Sequence, residues 1–139
     1  MIVRLIGVPF DGMGREQGQG GAPAALRAAG LEAALSSREF STQVDLRLPA
    51  SRAERGPESG LLNEAALFTM IRELHAERNA SISAGQFRLV HGGDCSVLLA
   101  AIPALRDTLG EAGLLFIDAH EDATPIERSP DGEAANMEV

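Results

Sequence analysis

A chain of 139 residues, 45% apolar and 23% charged, has material for one globular domain with its own core. A net charge of −8, with twelve arginines and no lysine, leaves no basic patch for nucleic-acid phosphates and is compatible with a small cationic substrate. One cysteine excludes an internal disulfide, no stretch is long enough to cross a membrane, and MIVRLIGVPF lacks the apolar length of a signal peptide, so a cytoplasmic protein is expected.

Ile2 to Val8 is short, apolar and β-branched, and reads as a buried strand. The glycine-rich loop DGMGREQGQGGA follows, and Pro23 stands where the helix AALRAAGLEAAL begins. Thr42 to Leu46 predicts a second strand, and residues 49 to 60, PASRAERGPESG, a mobile polar loop. Leu61, Ala65, Phe68, Ile71 and Leu74 recur at helical spacing and predict a helix over Leu61 to Arg78 with that stripe inward. Phe87 to Val90 is a third strand. Ser96 to Leu109 is helical with a disturbance at Pro103. Leu114 to Ile117 reads as a fourth, buried strand, and AANMEV as the start of a helix. Strands alternating with helices predict an α/β domain over residues 1 to 139, with a parallel sheet covered by helices on both faces.

In such sheets ligands bind beyond the carboxyl ends of the strands. Three distinctive loops each follow a strand: the glycine-rich loop, HGGDCS, and DAHED. Alternate residues of an extended segment share one face, so Asp118, His120 and Asp122 would crowd together at a strand end. A divalent cation is the economical compensation, and carboxylate oxygens with an imidazole nitrogen suit Mn, Fe, Co, Ni or Zn. The competing reading is a polar loop with a helix-capping aspartate. Gly92-Gly93 allows a tight turn, with Asp94 or Ser96 capping the next helix. Cys95, near that helix start, is either a favoured thiolate or a small buried hydrophobe. The loop at Gly12 to Gly21 fits neither GxxxxGK[ST] nor GxGxxG and is read as lining the site mouth. His91 is either a supporting residue of the site or a strand-packing one, and His75 a solvated one.

GGDCS followed by DAHED resembles the ureohydrolase family, which includes arginases and agmatinases and carries Gly-Gly-Asp-His-Ser and Asp-Ala-His-x-Asp motifs. LIGVPFDGMGREQGQGGAPAALR is similar to the family's first strand, loop and helix, and the resemblance covers the whole chain. It implies a three-layer αβα fold, represented here by its N-terminal portion, and a binuclear manganese hydrolase of C–N bonds in linear amidines such as arginine or agmatine. Asp118 would bridge both ions, Asp122 hold one and His120 the other. Cys95 occupies the place of a ligating histidine. Activated hydroxide would attack the guanidinium carbon, and the tetrahedral intermediate would collapse to urea and an amine. Thr124, Ser129 and Asp131 would meet the substrate's polar end. A homo-oligomer is implied as well.

The chain departs from the family pattern in three places. It has Cys95 for histidine, it contains no Asp-x-Asp pair, and SPDGEAANMEV lacks a proton-relay histidine, with Ala135 near where it would fall. These departures keep a second reading open, a non-catalytic interaction or regulatory relative. A third, a nucleotide-binding module using the glycine-rich loop, has no fingerprint to support it.

Overall fold

The computed structural model describes residues 2–15, 17–35, 44–120 and 122–137, and residues 39–40 by backbone. The elements are β1 (Ile2–Gly7), α1 (Ala22–Ala28), α2 (Leu31–Ala34), β2 (Glu39–Phe40), β3 (Val44–Asp45), α3 (Glu64–Ser83), β4 (Phe87–His91) and α4 (Leu98–Leu109). Short 3-10 turns stand at Gln19–Gly21, Cys95–Val97, Ile126–Arg128 and Ala134–Asn136. Every strand pairing is parallel, as expected of an α/β chain.

β1 is the central strand. On one edge β2 meets its beginning, with Val3 opposite Phe40, and β3 meets its end, with Gly7 opposite Asp45. On the other edge β4 runs beside it from Val3–Phe87 to Gly7–His91. Gly7, Asp45 and His91 therefore end their strands at one level, and the loops that follow β1 and β4 emerge side by side. The predicted strand at Thr42 to Leu46 is present as Val44–Asp45; Thr42 lies outside the described residues.

The core joins Ile6, Val8 and Phe10 to Ala66, Leu67, Met70 and Leu74 of α3 and Ala100 of α4. The helix at Leu61 to Arg78 is found, shifted to Glu64–Ser83, but its buried stripe is Ala66, Leu67, Met70 and Leu74. Ala65 and Phe68, placed inward by the sequence reading, face out. The two stripes are adjacent and both apolar, so periodicity gives the helix without its phase; packing against β1 and α4 sets the phase. α4 passes uninterrupted through Pro103. A proline forfeits one i→i−4 bond there, and the buried Ala100, Ala101 and Ala104 hold the helix in register.

The fourth strand requires correction. Residues Leu114 to Ile117 form no ladder, and Leu115 and Ile117 are 84% and 87% exposed. A strand with apolar side chains on both faces needs a hydrogen-bonded neighbour and cover above and below. Among the described residues β4 pairs with β1 only, so the run has neither. The loop at 49 to 60 is tied down rather than free: Arg55 bridges to Leu62, Gly56 N–H donates to Leu61 O, and the Arg55 guanidinium reaches Gly60 O and Ser129 O. Among the described residues AANMEV contributes the turn Ala134–Asn136, whose Ala134 enters the core; Glu138 and Val139 lie outside them.

Burial separates two leucines of similar sequence context. Leu67→Ala, emptying a fully buried site, is expected to cost about 2–5 kcal/mol in urea unfolding. Leu115→Ser should stay within about 0.5 kcal/mol. A large loss at Leu115 would show that its segment is packed after all.

Candidate metal centre

The site is built on the register of β1 and β4. After His91 the chain turns at Gly92, whose φ is +93° and whose added Cβ would lie 2.4 Å from Pro23 Cγ. Only glycine suits both the left-handed backbone and that contact with the start of α1. Asp94 then caps the Cys95–Val97 turn: its Oδ1 accepts from Ser96 N–H at 3.1 Å and from the Ser96 hydroxyl. Asp94 Oδ2 accepts from Gly12 N–H at 2.6 Å. One buried carboxylate thus binds the loop after β4 to the loop after β1.

The glycine-rich loop is fixed by a second carboxylate. Asp11 is buried and accepts from Met13 N–H, Gln19 N–H and the Arg15 guanidinium. Asn63, buried at the start of α3, donates to Asp11 O at 3.0 Å and accepts from Arg52 N–H at 3.1 Å. Neither Asp11 nor Asn63 was singled out from sequence. The usable signals were an acid opening the glycine-rich loop after β1 and an asparagine at a helix-cap position.

At the mouth of these loops Cys95, Asp118 and Asp122 each bring one ligand atom within 4.8 Å of the others. The Cys95 thiol donates to Asp118 Oδ2 at 3.4 Å. Asp118 Oδ1 accepts from the backbone N–H groups of Ala119 and His120. The His120 N–H bond first, then the Cys95 thiol and the Ala119 N–H, hold the Asp118 carboxyl below its usual range. Asp122 is only 7% exposed, and its Oδ2 has no hydrogen-bond partner among the described residues. A buried carboxylate oxygen with nothing to accept is the donor a cation would satisfy. Two carboxylates and one thiol fit a divalent ion, and among the described residues they supply three protein donors.

The extended i, i+2, i+4 geometry does not carry this cluster. Asp122 sits at φ +47°, so the backbone bends after Asp118. The bend brings Asp118 and Asp122 together and leaves His120 outside the three. His120 is 82% exposed on its side chain, with Nδ1 3.4 Å from Asp118 Oδ1.

Thr124 lines an open pocket of ≈ 410 Å³ together with Ala119, His120, Asp122, Ala123 and Asn136. Ser129 and Asp131 are committed to their own turn: the Ser129 hydroxyl donates to Asp131 Oδ1 and accepts from Gly132 N–H, and Asp131 Oδ1 also accepts from Glu133 N–H. His91 is a packing residue. Its Nδ1 donates to Ile6 O at 2.9 Å, and burial first, then the Arg27 charge, hold its pKa down against Asp45. His75 joins α3 to α4 through Asp107 at 2.9 Å.

A family model described as the arginase family matches residues 2–137. The chain belongs to the arginase family. Arginases from Staphylococcus aureus (strain COL) and Bacillus caldovelox are each 30% identical to it, over 97% of this chain and 46% of theirs. The crystal structure of Bacillus subtilis arginase superposes with a TM-score of 0.84 at 26% identity, covering 99% of this chain and 46% of that one. Formimidoylglutamase of the same species shares the fold, with a TM-score of 0.66 at 21% identity. This arginase-family chain spans about half the length of the curated relatives it matches, in their N-terminal portion. No helix among its described residues is long and apolar enough to cross a membrane.

Glu133, just beyond the Asp131 turn, faces the same acidic ground. Burial first, then the charges of Asp94 and Asp131, hold its carboxyl above the usual range, against the pull of Arg15. An acid whose folded pKa is raised binds its proton more tightly when folded, so stability falls as pH climbs from the ordinary value near 4.5 through the raised one. Glu133→Gln is therefore expected to raise the urea midpoint at neutral pH, with the gain disappearing below about pH 4.5. A gain of equal size under acid conditions would contradict the assignment.

Proposed function

We propose that this chain supplies the metal-binding loops of a divalent-metal-dependent amidinohydrolase that cleaves a C–N bond of a linear guanidino or amidine compound, such as arginine or agmatine, and releases urea. The observation carrying the reading is the convergence of Cys95, Asp118 and Asp122, with the unpartnered buried Oδ2 of Asp122, where two parallel strands end. Its relatives bear the name arginase, and the net charge of −8 favours encounter with a cationic substrate.

A divalent ion held there would polarise the substrate and acidify a water molecule. Asp118 and Asp122 would hold it, Asp118 as a carboxylate kept ionised by its N–H and S–H donors. The binuclear manganese centre implied by the resemblance needs more donors than these three, so they form part of that shell. His120, exposed beside Asp118, would exchange a proton with the water or the departing amine. Thr124, on the wall of the pocket, would receive the substrate's polar end, together with Ser129 and Asp131 of the turn that follows. We read residues 1 to 139 as one α/β domain, working in a homo-oligomer.

The test is urea release from arginine and agmatine with and without added divalent ions. Metal-dependent release is expected, falling at least about 100-fold in Asp122→Asn, since even residues behind the ligands are worth 10–100-fold. Release that ignores both metal and the substitution would defeat the reading. Tight metal binding with no hydrolysis would favour the non-catalytic alternative, which Cys95 in place of histidine supports.

A further inference from the structure

We propose that Cys95 makes this centre thiophilic, so that it selects zinc or cobalt over manganese. This rests on the reading that Cys95, Asp118 and Asp122 hold a cation.

Four features support it. The Sγ atom is at the site, in hydrogen-bond contact with Asp118 and within 4.8 Å of the ligand atoms of both acids. Its position is fixed from behind, because Cys95 opens the turn that Asp94 caps, and Asp94 is anchored to Ser96 and Gly12. Asp122, buried with one carboxylate oxygen unpartnered, independently marks the place as one that takes a ligand. The donor set is softer than carboxylates and imidazoles alone. Thiolates favour zinc, whereas manganese is served best by oxygen donors and stands lowest in the Irving–Williams order. On binding, the thiol proton is released to solvent and a metal–sulfur bond forms.

The experiment strips the 139-residue chain with a chelator and titrates it with Mn²⁺, Co²⁺ and Zn²⁺ by calorimetry, recording the absorption of the cobalt complex. The expected result is a sulfur-to-cobalt charge-transfer band, and a preference for Zn²⁺ over Mn²⁺ that shrinks at least about tenfold in Cys95→Ser. The band should vanish in that variant, while Asp122→Asn weakens all three ions together. Circular dichroism of each variant confirms that the fold is retained. Cobalt binding without the band, or a Zn²⁺/Mn²⁺ ratio unchanged in Cys95→Ser, would overturn the proposal and leave the metal-centre reading standing. Absence of binding by all three ions would overturn both.

Discussion

The two hydrogen-bonded oxygens of Asp94 are the constraint on which the rest of the site depends. Parallel pairing of β1 and β4 brings their following loops to one level, but pairing alone does not hold loops together. Asp94 does so, with one oxygen on its own Ser96 and the other on Gly12, across 82 residues of sequence. A buried carboxylate is costly unless its acceptor sites are filled, and a donor lost from such a group costs on the order of 1–3 kcal/mol. The same bonds that satisfy Asp94 place Cys95. Gly12 completes the fit, since an added Cβ would come within 2.8 Å of Asp94 Oδ2.

Around that anchor the chain concentrates acids and offsets them unequally. Asp11 is fully served by Arg15 and two backbone N–H groups. Asp94 is served by backbone and hydroxyl donors. Glu133 has the raised pKa, because it is partly buried first and then sits among Asp94, Asp131 and Asp11, against the pull of Arg15. Asp122 keeps an oxygen without a donor. Local donors could have satisfied each acid, as they do at Asp11. That they stop short at Asp122, beside Cys95 and Asp118, distinguishes the centre from the acids that merely hold loops in shape.

The sequence made the architecture legible where composition and periodicity agree: β1, the parallel alternation and the two long helices. It misled where a property depends on partners. Leu114 to Ile117 has the composition of a buried strand, yet strand formation is decided by a neighbour that β4 does not have among the described residues. The inward face of α3 was read in part: Leu74 is buried and Leu61 and Ile71 pack on the core, while Ala65 and Phe68 give way to Ala66, Leu67 and Met70. For the site, the residue types in HGGDCS and DAHED named Cys95, Asp118, His120 and Asp122 as candidates, and the structure brings ligand atoms of Cys95, Asp118 and Asp122 within 4.8 Å of one another. The positive φ at Asp122 is a feature the residue types alone do not reveal, and the group of three ligand atoms comprises Cys95, Asp118 and Asp122. Asp11 and Asn63 carried weak signals, because the groups each one bonds, nearby for the Asp11 carboxylate and distant for the Asn63 amide, are settled by folding.

The two sides of the centre are held by different means. Cys95 belongs to a rigid side, set by the sheet through Asp94. Asp118 lies on a segment outside the sheet, with exposed Leu115 and Ile117 before it, and among the described residues it is oriented by local N–H bonds, the His120 ring and the Cys95 contact. A contact between a thiol and a carboxylate at 3.4 Å is a weak hydrogen bond, so little energy joins the two sides. A cation bonded to both would bind them far more strongly than that contact does. Ligand binding and ordering of the segment before Asp118 would then be linked, because the energy of coordination is also the energy that closes the loop.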